Sequence, residues 1–265
     1  MIPSRIKHWS KLIIQPKYKR YHDALMKLKN TPRYTPTSTT LLGYEIELVD
    51  SASFLFMYRE IFEQKIYKFK SKKSDPFIID CGANIGLSSI YFKKLYPNSK
   101  LVSFEPDLEA FKKLEVNINK LKLSEIQLIK KAVWNSETTL EFMSEGADGG
   151  RVVQLEDNRR RYQVSTVRLR DYLNQTVDFL KLDIEGAETE VLQDCQDLLI
   201  NVDHLFVEYH SFINQAQTLH IIVNILSEAG FRIHIHPPIT SPQPFYHRNV
   251  HLGMDMQLNI FAFRK

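Results

Sequence analysis

Acids recur in this chain where an apolar run gives way to a turn. The run Phe77 to Ile79 ends at Asp80, and Gly82, Asn84 and Gly86 follow; Lys100 to Phe104 ends at Glu105; Val177 to Leu182 ends at Asp183, with Glu185 and Glu188 close behind; His204 to Val207 ends at Glu208, two residues before His210. Short apolar runs bounded by turn signals read as buried strands. A single carboxylate at a strand end serves as well for capping the next helix. Four on the edge of one sheet point to a shared ligand, because ligands of open parallel sheets bind outside the carboxyl ends of the strands.

The turn after Asp80 narrows the ligand. Gly82 permits a sharp turn and a close backbone approach, Gly86 lets a helix start pack against the sheet, and Asn84 tolerates left-handed backbone better than most residues. Such a corner presents backbone N–H groups beside an acid and suits a ligand carrying both donors and a negative group. Glu105 stands nineteen positions after Gly86, where a carboxylate can accept both vicinal hydroxyls of a ribose. A nucleoside compound follows from this. No G-x-G-x-x-G seats a pyrophosphate, no G-x-x-x-x-G-K-[ST] holds a triphosphate, and Asp80 would repel phosphate. S-adenosylmethionine, with ribose hydroxyls, an ammonium, a carboxylate and a sulfonium but no phosphate, fits better.

Positioning these groups takes alternating strands and helices. From Pro76 the pattern predicts strand 77–81, helix 86–96, strand 100–104, a helix N-capped by Asp107 and running to Asn119, and a third strand over 126–134. Successive β-α units of this kind give parallel strands with right-handed crossovers. Alternation stops between Thr138 and Val167, where strand-like pieces (139–143, 151–155, 162–167), separated by Gly146 to Gly150 and by Glu156 to Arg161, describe a β insertion that serves as a lid or a solvated ribbon. It resumes with strand 177–182, a helix to about Leu199, strand 204–207, a helix from about Gln215 to Gly230, and strands 231–235 and 258–263 around a proline-rich loop, 237–256. Upstream, residues 1–30 are basic with Tyr21, Ala24, Leu25 and Leu28 at helical spacing, 31–40 reads as a linker, and 44–49 alternates as a half-exposed strand. Residues 53–69 place Phe54, Met57, Tyr58, Ile61, Phe62 and Phe69 at helical spacing, to cover one end of the sheet. The N-terminal helix reads as a cap with a solvated charged face; a surface for a membrane, a partner or an acidic substrate is the other reading.

With 265 residues and 43% apolar content, one large decorated domain is favoured over two small ones. The division expected is a basic extension and linker over 1–40 and a catalytic domain over 41–265, its core beginning at 76. A net charge of +4 and a pI near 8.8 are too mild for a dedicated nucleic-acid binder. Cys81 and Cys195 lack metal-knuckle or disulfide spacing, which suits a reducing compartment. No signal-peptide h-region and no run of membrane-spanning length occur, so a soluble cytoplasmic protein is expected.

The stretches IIDCGANIG (78–86), FEP (104–106), KAV (131–133), FLKLDIEGAE (179–188) with Val191-Leu192, and FVEYH (206–210) resemble the FkbM family of S-adenosylmethionine-dependent methyltransferases, over most of residues 45–235. The first forty residues and the 237–256 loop fall outside the resemblance. It implies a class I methyltransferase fold: a Rossmann-like, doubly wound α/β sheet of seven mostly parallel strands with an antiparallel last strand. It implies O-methylation of a small-molecule acceptor, a hydroxyl on a sugar, lipid or secondary metabolite. By the same resemblance Asp80, Gly82, Ala83, Asn84 and Gly86 contact the amino-acid end of the cofactor and Glu105 its ribose. Ala132 and Val133 lie near adenine, with Trp134 as a flank or a core residue. Asp183, a cofactor contact, and Glu185 lie near the reacting methyl group.

Methyl transfer is an in-line displacement, so the acceptor oxygen must be positioned and deprotonated; Asp183, Glu185 and His210 are the candidate general bases. Asp183, Glu185 and Glu208 could instead hold Mg²⁺, but caps and cofactor contacts account for them and no metal is assigned. His234, His236, His247 and His251 need no zinc, since strand alternation and loop solvation explain them. The acceptor is expected between the 146–150 and 237–256 loops, lined by Arg151, Phe245, Tyr246, His247 and Arg248. An RNA methyltransferase and a non-catalytic adenosyl-binding protein are the rival readings; the basic N terminus sustains the first, and the intact DIEGAE run opposes the second. Peripheral membrane contact through the N terminus stays open, as does the oligomeric state.

Overall fold

Neighbouring isoleucines in strand β3 (Phe77–Cys81) face opposite sides of the sheet, as successive strand residues must, and each joins a different core. The computed structural model describes residues 16–144, 150–152 and 160–264. Within them the chain runs α1 (Pro16–Asn30), β1 (Thr37–Thr39), β2 (Ile46–Leu48) and α2 (Ser51–Tyr58), which passes into a π-helical turn, Arg59–Gln64, before β3. Then come α3 (Leu87–Leu95), β4 (Lys100–Phe104), α4 (Leu108–Lys120), β5 (Ile126–Ile129) and a β insertion of β6 (Ala132–Trp134), β7 (Thr139–Ser144), β8 (Gly150–Val152) and β9 (Arg160–Arg168). The chain closes with β10 (Phe179–Leu182), α5 (Glu188–Cys195), β11 (His204–Phe212), α6 (Leu219–Glu228), β12 (Arg232–Ile239) and β13 (Met254–Phe263).

The main sheet has seven strands in the order β12-β13-β11-β10-β3-β4-β5. All pairs are parallel except those made by β13, which runs antiparallel between β11 and β12. Strand order reverses between β3 and β10, so the crevice above their carboxyl ends is the expected ligand position. One face packs Ile79, Leu180 and Val207 against Leu192 of α5 and Ile222 and Leu226 of α6. The other packs Ile78, Phe179 and Phe206 against Phe92 of α3, Leu114 of α4, Phe54 of α2 and Leu28 of α1. Asp107 caps α4 as the sequence predicts, its Oδ1 accepting from the Glu109 and Ala110 amides. No helix among the described residues is long and apolar enough to cross a membrane.

Four local expectations change. The strand expected over 126–134 is two: β5 stays on the main sheet, while β6 leaves it after Lys131 to pair with β9 in a separate four-stranded sheet, β6-β9-β7-β8. Thr37–Thr39, inside the stretch read as a linker, is a strand paired with β2. The helix expected over 53–69 ends at Gln64, and Tyr67 and Phe69 are buried from an irregular segment. Strand β11 continues past residue 207 to Phe212, because antiparallel β13 supplies partners beyond the point where parallel β10 stops. Glu208 and His210 therefore lie inside a strand, still level with the end of β10 through the Leu182–Val207 pair. The Gly146–Gly149 part of the expected loop and residues 1–15 lie outside the described residues.

Candidate functional site

Strand register brings the first two charges together. Asp80 on β3 lies opposite Lys181 on β10, and both side chains are buried. Asp80 Oδ2 accepts from Ser88 Oγ at 2.6 Å and Ser89 Oγ at 2.9 Å, whereas Oδ1 has no hydrogen bond and faces Lys181 Nζ at 3.6 Å. Lys181 Nζ donates to Gly82 O at 2.8 Å and pairs with Asp183 Oδ2 at 3.0 Å. Burial alone would lower the lysine pKa, but Asp183 and Asp80 outweigh it and hold the ammonium charged. Lys181 thus ties the first turn to the Asp183 loop. The sequence signal was a single charge inside the otherwise apolar Phe179–Leu182 run.

The turn after Asp80 uses its own amides. Gly82 and Ala83 N–H donate to Phe104 O, Asn84 N–H to Glu105 Oε2, Ile85 N–H to Asn84 Oδ1, and Gly86 N–H to Ala83 O. The donors left for a ligand are therefore not those of the turn itself. They are the first-turn amides of α3, where Leu87 and Ser88 line the cavity and no side chain caps the helix. Gly82, at φ +86°, touches Asp183 so closely that a Cβ would overlap the Asp183 carbonyl. Asn84 takes the left-handed region at φ +49°.

Glu105 closes the next side. Each carboxylate oxygen accepts one backbone N–H, from Asn84 and from Asp107, both at 2.8 Å, and keeps a second acceptor site for a ligand. Burial, against those two bonds, pushes its pKa up to about 8. Beyond it Phe104, Pro106, Ala132, Val133 and Phe142 form an apolar slot. Trp134 is not among the residues lining the cavity.

At the opposite end stands a cluster built on Glu188. Its Oε1 accepts from the Ile184 and Gly186 amides, which folds the Asp183–Ala187 loop over the helix start, and lies 3.1 Å from His210 Nδ1. That bond turns His210 Nε2 towards Glu185 Oε2 at 3.6 Å and Glu208 Oε1 at 3.9 Å. Burial would lower the imidazole pKa, but Glu185 and Glu188 more than offset it and raise it well above the ordinary value. The π-helical turn adds Glu60, hydrogen-bonded by Asn259 Nδ2 at 3.3 Å and pushed up to about 7 by burial. Helical spacing in the sequence gave no sign of Glu60, because a π turn shifts side chains out of the 3.6-residue phase.

These groups enclose one cavity of about 250 Å³. Of the predicted site residues, Gly82, Ala83, Asn84, Glu105, Ala132, Val133, Asp183, Glu185 and His210 line it. Asp80 and Gly86 stand behind its wall: Asp80 acts through Lys181, and Gly86 starts α3 where a Cβ would come within 2.7 Å of Leu114 Cδ1. Phe245 and Tyr246 are fully exposed at the tip of the β12–β13 loop, and neither they nor His247 and Arg248 reach the cavity. Ile239, His251, Leu252 and Met254, nearer the base of that loop, do. The Arg151 side chain lies outside the described residues.

The donor set fits the ligand expected from the sequence. Free helix amides suit its carboxylate, Glu105 its ribose, the apolar slot its adenine and the acidic end its positive charges. Comparison with known proteins agrees. A model described as "Methyltransferase FkbM domain" matches residues 80–233. "Methyltransferase 1" of Beauveria bassiana is 26% identical over 216 residues, 71% of this chain and 84% of that protein. The 2-O-methyltransferase NoeI of Sinorhizobium fredii is 26% identical over 159 residues, 52% of this chain and 65% of its own. Among solved structures, M. jannaschii TYW2 in complex with AdoMet superposes with a TM-score of 0.50 at 17% identity, covering 89% of each chain, which shows the shared fold.

Proposed function

Because this chain belongs to the FkbM family of methyltransferases, we propose that it uses S-adenosylmethionine to methylate a hydroxyl oxygen on a sugar, lipid or secondary metabolite. The observation that carries the reading is the division of the cavity into a nucleoside half, Glu105 with the Phe104–Val133 slot, and an acidic half, Asp183, Glu185 and Glu208. Likeness to a named 2-O-methyltransferase supports the oxygen acceptor.

Bound S-adenosylmethionine supplies an electrophilic methyl group on a sulfonium. The residues of this chain do the rest. First-turn amides of α3 orient the amino-acid end, Glu105 accepts the ribose hydroxyls, and Ala132 and Val133 bracket the adenine. Asp80 positions Lys181, which fixes the spacing of the Gly82 turn from Asp183. The carboxylates of the acidic half favour a cationic ligand electrostatically. Asp183, Glu185 and His210 converge where the acceptor hydroxyl must lose its proton. Against the burial that would lower it, Glu185 and Glu188 raise the imidazole pKa of His210, and Asp183, Glu185 and His210 are all candidates for the proton acceptor.

Incubation with methyl-labelled S-adenosylmethionine and panels of glycans, hydroxylated lipids, small hydroxylated metabolites and RNA tests the reading. The expected result is label in a base-stable ether on one of the first three classes. Label on RNA, or on nitrogen, would replace this assignment with the rival one.

A further inference from the structure

The acidic half of the cavity contains more Lewis bases than a cationic cofactor requires. One atom each from Asp183, Glu185 and His210 can be chosen so that all three lie within 4.8 Å of one another. They come from two separate segments, the loop after β10 and the middle of β11. The histidine is also prepared for a particular task. Glu188, itself anchored by two backbone amides, accepts from Nδ1 at 3.1 Å and so directs Nε2 into the cluster. Carboxylate support of the far ring nitrogen is what metal-ligating histidines show, since it fixes tautomer and orientation. A cofactor cation would need acceptors and would gain nothing from a directed ring nitrogen.

A second observation comes from Glu208. Its side chain is only 9% exposed, and it lines the same cavity. No hydrogen bond to its carboxylate occurs among the described residues; the ion-pair contact is His210 Nε2 at 3.9 Å, the nitrogen that also faces Glu185. A carboxylate this buried without a donor is costly unless a cation satisfies it.

We propose that Asp183, Glu185 and His210 bind a divalent transition ion of the Mn²⁺ class, with the Glu208 carboxylate, which accepts no hydrogen bond among the described residues, closing the site. The mixed imidazole and carboxylate set selects such an ion over Mg²⁺, which favours oxygen ligands and retained waters. The ligand set also differs from the all-carboxylate one suggested by the sequence, because β11 runs on through His210. Ligation takes the Nε2 lone pair and displaces any proton there. Resting on the methyl-transfer reading for its purpose, the ion would coordinate the acceptor hydroxyl. The oxygen–methyl bond then forms as the methyl–sulfur bond breaks, and the hydroxyl proton, made more acidic by the ion, passes to water.

The test uses the whole chain, stripped with a chelator and dialysed. Mn²⁺ is titrated in by calorimetry, and free Mn²⁺ is followed by electron paramagnetic resonance, with no methyl donor present. One ion per chain is expected, with affinity reduced by more than about 10-fold, the low end for loss of a mere outer-shell partner, in Glu185→Gln and in His210→Gln, circular dichroism confirming that both variants fold. No saturable binding, or binding unchanged in Glu185→Gln, overturns the proposal. S-adenosylmethionine titrated into the same stripped protein separates the two readings. Binding of the methyl donor without Mn²⁺ binding removes the ion alone, whereas Mn²⁺ binding without the donor leaves the ion site and removes the methyltransferase assignment.

Discussion

Replacing Lys181 with methionine should destabilise the protein and loosen the cofactor site together. The lysine side chain is 3% exposed, so solvent screening does little to weaken its contacts. It neutralises Asp183 at 3.0 Å and Asp80 at 3.6 Å, and it donates to the Gly82 and Cys81 carbonyls at 2.8 and 3.3 Å. Methionine keeps the length of the stem and removes the charge, stranding a fully buried Asp80 carboxylate whose Oδ1 already lacks a hydrogen bond. Removing one partner of a buried ion pair costs about 3–5 kcal/mol. At about 2–4 °C per kcal/mol for a domain approaching this size, Tm should fall by about 6–20 °C. Urea denaturation of wild type, Lys181→Met, Asp80→Asn and the double variant checks the cause. If the stranded carboxylate is responsible, Asp80→Asn should hurt less in the methionine background than in wild type, with a coupling of about 1–3 kcal/mol. A loss under about 1 kcal/mol in Lys181→Met, or strict additivity of the two substitutions, would refute the argument that this lysine holds the turn and the Asp183 loop together.

Three other outcomes follow from the same contacts. Gly82→Ala places a Cβ into the Asp183 carbonyl at a φ of +86°, so cofactor binding should be lost or reduced at least tenfold even where circular dichroism shows folded protein; unchanged affinity would mean that the turn is not the cofactor cradle. Asn117→Ala removes three hydrogen bonds of a buried side chain, to Glu47 N, Glu47 O and Ile85 O, which at about 0.5–1.5 kcal/mol each should cost about 1.5–4.5 kcal/mol in urea denaturation. Glu105 has its folded pKa raised to about 8, above an unfolded value near about 4.3, so the folded state holds a proton that the unfolded state has released between those values. Its contribution is greatest at low pH and is lost as pH rises towards about 8. Glu105→Gln should flatten the fall in denaturation midpoint between about pH 5 and 8, and an unaltered pH profile would contradict the burial argument.

Much of this site is legible in the sequence because its local signals are short and chemical. An acid before glycines at the end of an apolar run marks Asp80 and Asp183, at the carboxyl ends of β3 and β10 on either side of the switch point, and the next acid along marks Glu105, after the end of β4. What escaped the sequence depends on partners far along the chain. Glu208 and His210 read as a strand end, since the length of β11 is set by β13, some fifty residues later. Lys181 is one charge inside a strand, and only its register opposite Asp80 gives it a function. Glu60 came into the site through a π turn that no apolar periodicity encodes. The exposed positions of Phe245 and Tyr246 could not be anticipated either, because aromatic residues in a long loop serve equally as pocket walls or surface tips.

The central claim is that this cavity holds S-adenosylmethionine, and titration calorimetry tests it most directly. S-adenosylmethionine and S-adenosylhomocysteine should each bind the whole chain at one site, with binding weakened in Gly82→Ala and no heat of binding for NAD. Binding of NAD with none for either adenosyl compound would contradict the account.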